Sequence, residues 1–466
     1  MSYRKYMSTF FIVSLLALAV QAAEKPNILF IFADDLSYDT INSLGNKEII
    51  TPNLDRLVNQ GMVFSHAYNM GAWNGAVCVA SRAMLNTGRF VWRAQDALTT
   101  YEAQGMMWSQ RMQKAGYDTY MAGKWHVTVK AEQIFNKTGS VRHGMPNQTA
   151  AGYNRPLSPY DKSWLPWDPQ HEGYWKGGTH WSEVLGNEAI GFLEEAKKSD
   201  KPFFIYAAFN APHDPRQSPQ KFVDMYPLDK IAIPPNFLTE YPYKDKIGCG
   251  PTLRDEKLAP FPRTEYAVKV NRQEYYAIIT HMDEQIGRIL DALEKSGQAD
   301  NTYIFFTADH GLACGQHGLM GKQNMYDHSV RAPFIVCGPR IKGGSCNDTP
   351  IYLQDVMPTT LELAGADTIG VEFKSLKPLI AGVQTPHYDA IYGAYLKLQR
   401  AISKDGFKLI YYPEAEVCRL FDLRKDKYEM NDLADNPQYV SKIKQLKADL
   451  LNMEKEMDDP LLAVKQ

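Results

Sequence analysis

The segment PNILFIFADD, residues 26–35, holds an unbroken apolar run from Ile28 to Phe32 that ends in two adjacent carboxylates, Asp34 and Asp35. Such a run, without polar alternation, reads as a strand covered on both faces, as in a parallel sheet flanked by helices. Three later segments each pair an amphipathic helical stretch with a short apolar run. MWSQRMQKAGYDTYMAGKWH ends in Lys124 and His126, and EVLGNEAIGFLEEAKKSDKPFFIYAAFNAPHDP ends in His213. EYYAIITHMDEQIGRILDALEKSGQADNTYIFFTADHG ends in Asp309 and His310. The alternation predicts an α/β fold with helices on both faces of the sheet. Ligands of such sheets bind beyond the carboxyl ends of the strands, where each of these polar clusters falls.

The texture changes near Pro386. YDAIYGAY, RAISKDGFKLIYY and EVCRLFDL read as short strands, and YVSKIKQLKADLLNMEKEM as a terminal helix. This divides the chain into a larger α/β domain over 23–385 and a smaller C-terminal α+β subdomain over 386–466. The least regular region, Val127 to Gly178, is long for a structureless connection and reads as a functional surface.

At the N-terminus, Arg4 and Lys5 precede an apolar run from Phe10 to Val20, with small residues at Val20 and Ala22. This is the pattern of a secretory signal over residues 1–22, cut after Ala22 or Ala23. The apolar run is shorter than the roughly 17–25 residues of a membrane span. The expected location is therefore secreted or periplasmic, with no span left after cleavage. The formal net charge is −2, and cleavage removes two positive charges and no negative ones. No global basic field recruits nucleic acid, so any grip on an anion must be local. Export permits disulfides. Of the six cysteines, Cys337 and Cys346 flank the turn-like GPRIKGGS and form the candidate pair.

Adjacent carboxylates at buried strand ends repel unless a cation sits between them. Asp34 and Asp35, together with Asp309 and His310, suit a hard ion, Ca2+ or Mg2+, better than zinc. Lys124, His126, His213 and Lys322 add two ammonium groups and two imidazoles at the same expected edge. Cations around a metal would serve a tetrahedral oxyanion such as sulfate or phosphate. In AVCVASRAMLNTGR the thiol of Cys78 precedes a helix-forming run, with Ala80 two positions on and Arg82 four. By itself it could be core, redox group, metal ligand, nucleophile or raw material for modification.

With these motifs together, the chain resembles a formylglycine-dependent sulfatase (type I) of the alkaline phosphatase superfamily. Cys78-Val79-Ala80-Ser81-Arg82 resembles the family signature, cysteine-x-proline or alanine-x-arginine, followed by Thr87-Gly88-Arg89. The likeness runs from PNILFIFADD through TPNLDRL, AGKWH, APH and GQHGLMGK to FDLRKDKYEMNDLA. It implies a large central mixed β-sheet sandwiched by helices, as in alkaline phosphatase. It also implies that a maturation enzyme oxidises Cys78 to formylglycine (3-oxoalanine), whose hydrate offers two hydroxyls on one carbon. One would attack sulfur, and loss of a proton from the other would expel sulfate and restore the aldehyde. By the resemblance, Asp34, Asp35, Cys78, Asp309 and His310 hold the metal. Arg82 orients the hydrate, and Lys124 contacts it and the sulfate. His126 is the base for the second hydroxyl; His213 and Lys322 bind sulfate, and His213 protonates the leaving oxygen. Many members carry asparagine where His310 stands, which bears on the choice of ion.

WLPWDPQHEGYWKGGTHW, Trp164 to Trp181, holds four of the eight tryptophans. Aromatic faces cover sugar rings, but they also pack loops onto their own domain. His180, Asp214 and Arg216 are expected to touch substrate beyond the sulfate; His66, His281 and His387 read as structural. The reading is an exported sulfatase acting on the ends of a sulfated polysaccharide or oligosaccharide, with a maturation enzyme as its second partner. The alternatives are a phosphodiesterase or phosphonate monoester hydrolase, an arylsulfatase of small substrates, and an inactive glycan-binding protein.

Overall fold

The computed structural model describes residues 25–146, 150–383 and 385–464. The expected signal sequence over residues 1–22 lies outside the described residues. Strand Asn27–Ala33 forms where expected and lies at the middle of an eight-stranded sheet. The order across this sheet is Ser345–Asn347, Met62–Phe64, Phe334–Cys337, Thr302–Ala308, Asn27–Ala33, Phe203–Ala208, Asp118–Lys124 and Lys137–Arg142. The five strands from Thr302–Ala308 to Lys137–Arg142 run parallel. Phe334–Cys337 runs antiparallel to both its neighbours, so the sheet is mixed.

Both faces are covered, which is why the central strands carry no polar alternation. On one face Trp108 packs its ring against Phe30, Phe204 and Tyr206 and donates from Nε1 to Thr360 Oγ1 at 2.9 Å. On the other, Tyr120 meets Phe192 of helix Trp181–Ala196, which packs in turn on the 32-residue helix Glu265–Ser296. The expected α/β architecture with helices on both faces is therefore present. Because Asn27–Ala33, Asp118–Lys124, Phe203–Ala208 and Thr302–Ala308 share one direction, Asp34, Lys124, Asn210 and Asp309 all leave the sheet at the same edge.

The C-terminal part is a smaller α+β unit. Strands Ile391–Tyr395, Gln399–Lys404, Phe407–Tyr412 and Val417–Asp422 form an antiparallel meander, with helix Val440–Glu456 against it. Its fifth strand is Gly71–Ala72, borrowed from the chain just ahead of Cys78 and parallel to Ile391–Tyr395. At Gly71, φ is 102° and a Cβ would stand 1.8 Å from the Ala394 carbonyl oxygen, so only glycine allows this approach. Among the described residues, no helix is long and apolar enough to cross a membrane.

The expected pairing of Cys337 with Cys346 is not formed, and all six cysteines are free. The two strands that carry them flank Met62–Phe64 on opposite sides. They are thus two strand spacings apart, about 10 Å, beyond the roughly 7 Å that a disulfide tolerates between Cα atoms. Cys337 donates instead to the Leu57 carbonyl at 3.3 Å.

Two glycines separate the effects of space and backbone. At Gly123, φ is 93° and a Cβ would meet the Ala208 oxygen at 1.8 Å; at Gly191, on the exposed face of its helix, there is open space. Gly123→Ala is expected to lower stability by about 2–5 kcal/mol, and Gly191→Ala to raise it by about 0.5–1 kcal/mol. Urea unfolding of both variants beside the parent checks the pair.

Candidate active site

Asp35 follows Asp34 with φ at 66°, a left-handed turn that aspartate adopts more readily than most residues. Tyr275 holds this turn: its hydroxyl donates to the Asp35 carbonyl at 2.6 Å and accepts from the Ser37 amide at 3.0 Å. The Asp35 amide donates to Asp309 Oδ1 at 3.1 Å, so the two strand ends are tied together.

Cys78 is the second residue of helix Val77–Thr87 and is buried. The helix start presents its positive end there. One turn on, Arg82 lies fully buried beneath the thiol. Its Nε donates to Asp309 Oδ2 at 3.0 Å, one terminal nitrogen donates to the Lys124 carbonyl at 2.7 Å, and the other stands 3.7 Å from Asp34 Oδ1. Lys124, the last residue of its strand, pairs with Asp34 Oδ2. Lys322 places Nζ 2.8 and 2.9 Å from the two oxygens of Asp35, 2.9 Å from His213 Nε2 and 3.8 Å from Cys78 Sγ. Burial alone would raise the Cys78 thiol. The ammonium groups of Lys124 and Lys322, with the imidazoles of His126 and His213, overcome that and hold it well below the usual thiol range.

Two groups of candidate ligands lie side by side. Donor atoms of Asp34, Cys78, Asp309 and His310 all lie within 4.8 Å of one another, as do those of Asp35, His213, Asp214 and Asp255. The second group already encloses the Lys322 ammonium. In the first group, Asp34 Oδ1 and His310 Nε2 are buried without a hydrogen-bond partner among the described residues. His310 Nδ1 donates to the Gly311 carbonyl at 2.8 Å, which turns Nε2 toward Asp35 Oδ1 at 3.4 Å and Asp309 Oδ1 at 3.6 Å; against the effect of burial, these carboxylates raise the imidazole to about 9, so a bound cation would displace its Nε2 proton. A backbone carbonyl fixing the far nitrogen in this way is how metal-ligating histidines are oriented. Burial and then Asp309 push Asp34 above the usual carboxylate range, although Lys124 opposes them. With two carboxylates, a thiol and an imidazole converging, two of their donor atoms left without a hydrogen-bond partner, the set fits a divalent ion. Asp35 stands between the groups, its carboxylate held by Lys322.

The residues expected to act on sulfate lie together: Lys124, His126, His213 and Lys322 surround the Cys78 side chain, with Arg82 bonded to the Lys124 carbonyl. His213 Nδ1 faces the carbonyl of Asp214 at 2.8 Å and its carboxylate at 3.0 Å, which turns Nε2 inward. The expected contacts beyond sulfate do not lie at the mouth. His180 is fully buried; it caps helix Trp181–Ala196 through Nδ1 to the Ser182 amide at 3.1 Å, and Nε2 meets the Gln217 carbonyl at 3.0 Å. Asp214 is spent on His213, Arg254 and the Tyr153 hydroxyl. Arg216 lies buried over the Tyr275 ring, behind the site, and donates to the Asn271 carbonyl at 3.2 Å. The aromatic loop turns inward: Trp164 stacks on His171, and the Tyr174 hydroxyl donates to the carbonyls of Asn210 and His213. Of the histidines read as structural, His281 stacks on Phe222 and His387 meets Asp355.

The sequence reading missed Asp255, Arg254, Tyr153 and Gln323, which surround His213 and Lys322. Asp255 Oδ2 accepts from Gln323 at 2.8 Å, and its Oδ1 lies 3.8 Å from Lys322 Nζ. For Arg254 and Asp255 the only signal is the charged RDEK inside an otherwise irregular stretch, without spacing to mark it; Tyr153 and Gln323 carry none.

A mixed sheet that gathers carboxylates, lysines and histidines at one edge around a helix-start thiol has the architecture of the alkaline phosphatase superfamily. Within it, the chain belongs to the sulfatase family, whose model matches residues 26–366, and it is a type I sulfatase, a sulfuric ester hydrolase. A second model, the C-terminal region of N-sulphoglucosamine sulphohydrolase, matches residues 315–456. A sulfatase of Formosa agariphila is 29% identical over 91% of this chain and 86% of its own. An N-acetylglucosamine-6-O-sulfatase of Bacteroides thetaiotaomicron is 27% identical over 94% of this chain and 88% of its own. A solved structure described as a complex with its substrate D-glucosamine-2-N,6-O-disulfate superposes with a TM-score of 0.74. At 24% identity, covering 94% of this chain and 99% of that one, it shows the shared fold.

Among the described residues, Arg82 is the one cation within 4 Å of both Asp34 and Asp309. Arg82→Met strands these charges and is expected to lower stability by about 3–5 kcal/mol. Adding Asp309→Asn should recover part of that loss in urea unfolding.

Proposed function

We propose that the protein is exported and releases sulfate from a sulfated polysaccharide or oligosaccharide, through formylglycine made from Cys78 by a maturation enzyme. The observation that carries this reading is the position of the Cys78 side chain. It projects from a helix start into a cage of Lys124, Lys322, His126 and His213, beside a carboxylate group suited to a calcium ion.

Asp34, Asp309 and His310, with residue 78 and with Asp35 adjoining, would hold the ion; Mg2+ is the alternative. A divalent cation there supplies Lewis acidity toward an oxygen of the sulfate ester. The aldehyde hydrate supplies a nucleophilic hydroxyl and a second hydroxyl on the same carbon.

The other roles fall to side chains. Arg82, locked by Asp309 and the Lys124 carbonyl, keeps the base of the pocket rigid beneath residue 78. Lys124 and Lys322 approach from two strand ends and can neutralise the equatorial oxygens of a sulfate, an interaction that gains strength where water is excluded. His126, with φ at 54°, is held in a left-handed turn after the Asp118–Lys124 strand and faces residue 78. This suits a base that takes a proton from the hydrate. His213 is aligned by Asp214 and offers Nε2 toward the leaving oxygen, the place of the general acid.

The near-complete shielding of these residues favours a terminal sulfate reaching into a pocket over a chain threaded through a groove. The named activity of the Bacteroides relative and the saccharide of the structural neighbour support a sugar sulfate as substrate.

Protein produced with a maturation enzyme should release inorganic sulfate from sulfated saccharides. Chelation should abolish this, and added calcium should restore it. Cys78→Ala is expected to lower kcat by about a thousandfold or more. Failure to release sulfate from any sulfated saccharide, with rapid turnover of a phosphodiester, would overturn the reading.

A further inference from the structure

Around the predicted sulfate position, the charged side chains are sealed: Asp34, Asp35, Arg82, Lys124, His213, Asp214, Lys322 and Asp309 are each at most 2% exposed. Arg254 differs. Its side chain is 26% exposed, yet Nη2 lies 2.8 Å from Asp255 Oδ1 and 3.5 Å from Asp214 Oδ1. Each of those carboxylates also faces a group assigned to sulfate, Lys322 or His213. Asp255 Oδ1 is 3.8 Å from Lys322 Nζ, and Asp214 Oδ1 is 3.0 Å from His213 Nδ1. One carboxylate oxygen therefore separates the guanidinium from each sulfate-binding group.

Each of those carboxylates has a further hydrogen-bond donor besides Arg254. Asp214 also accepts from the Tyr153 hydroxyl, and Asp255 from Gln323 Nε2 at 2.8 Å. The guanidinium is turned so that both contacts use Nη2, and its other nitrogens make no recorded hydrogen bond among the described residues. The neighbouring Pro251 and Thr252 are exposed, so this segment forms part of the rim. A planar fork with an open edge, fixed at one corner, matches a carboxylate or sulfate in geometry, which a flexible ammonium would not.

We propose that Arg254 reads a second anionic group, a carboxylate or another sulfate, on the same sugar that carries the scissile sulfate. This rests on the sulfated-saccharide reading above and adds a substrate preference to it: polyanionic sugars over those carrying one sulfate. The reach from Lys322 across Asp255 to Arg254 is the span of neighbouring substituents on one ring, not of two residues along a chain.

The test measures affinity by calorimetry in the Cys78→Ala background with calcium present. The probes are methyl hexopyranoside monosulfates, the corresponding disulfates and sulfated hexuronates. With Arg254 intact, at least one dianionic series should bind about tenfold or more tighter than its monosulfate; which series does so separates sulfate from carboxylate. Arg254→Gln should reduce that preference to threefold or less, and Arg254→Lys should keep part of it. Thermal unfolding checks that both variants fold. Equal affinity for mono- and dianionic probes with Arg254 intact overturns the proposal, and that measurement needs no Arg254 variant. A uniform loss for every probe in Arg254→Gln, with the preference kept, also overturns it and leaves Arg254 a positioning residue for Asp214 and Asp255. Binding of no sulfated sugar at all defeats the saccharide reading itself.

Discussion

The structure turns on a charge balance sealed from water. Five carboxylates, Asp34, Asp35, Asp214, Asp255 and Asp309, meet Arg82, Lys124, Lys322, His213 and His310 within one buried cluster, with the partly exposed Arg254 at its margin. Burying such charges is costly unless each is paired with good geometry, and a single unpaired member costs several kcal/mol. The large sheet meets this demand by bringing four parallel strands to one edge. Their packed faces, Trp108 on one side and Phe192 on the other, fix where the charged ends emerge. Asp34 Oδ1 and His310 Nε2 have no hydrogen-bond partner among the described residues and face the same space as the Cys78 thiol. That corner offers a place for a cation a few ångströms from the ammonium groups of Lys124 and Lys322, which suit an anion.

Much of this arrangement is legible in the sequence, for a local reason. A strand needs a continuous apolar run, and the residue that ends the run must lie at the sheet edge. Asp34, Lys124 and Asp309 could therefore be placed together before any contact was known. The helix start at Cys78, with Arg82 one turn on, is equally local. What the sequence hides depends on segments meeting from far apart. Asp255 and Tyr153 enter the site because an irregular loop and a rim segment close over His213, and no periodicity marks either. His180 was misplaced because a histidine ahead of a helix has the same local sequence whether it caps the helix or binds a ligand. Its position against Gln217 decides for the cap. The Cys337–Cys346 expectation failed on a strand from elsewhere, since Met62–Phe64 inserts between them.

The borrowed strand Gly71–Ala72 links the two parts of the molecule to the chemistry. It pairs with Ile391–Tyr395 and leads within a few residues to Cys78, so the smaller unit braces the approach to the reactive helix. Trp164, Tyr174 and their neighbours serve a similar purpose on the opposite side. Tyr174 packs against the backbone of His213, while Arg254, ion-paired to Asp214 and Asp255, keeps part of its side chain in solvent. A site built in this way is rigid at its base and variable at its mouth, the usual division between chemistry and specificity.

The proposed chemistry depends on Cys78 being raw material for the reactive group and not itself the nucleophile. Peptide mass spectrometry of the segment containing residue 78, from protein produced with a competent maturation enzyme, tests this most directly. The account predicts a peptide about 18 Da lighter than the cysteine form, the change from CH2SH to CHO. A fully retained thiol in that preparation, with sulfate release undiminished, would contradict it.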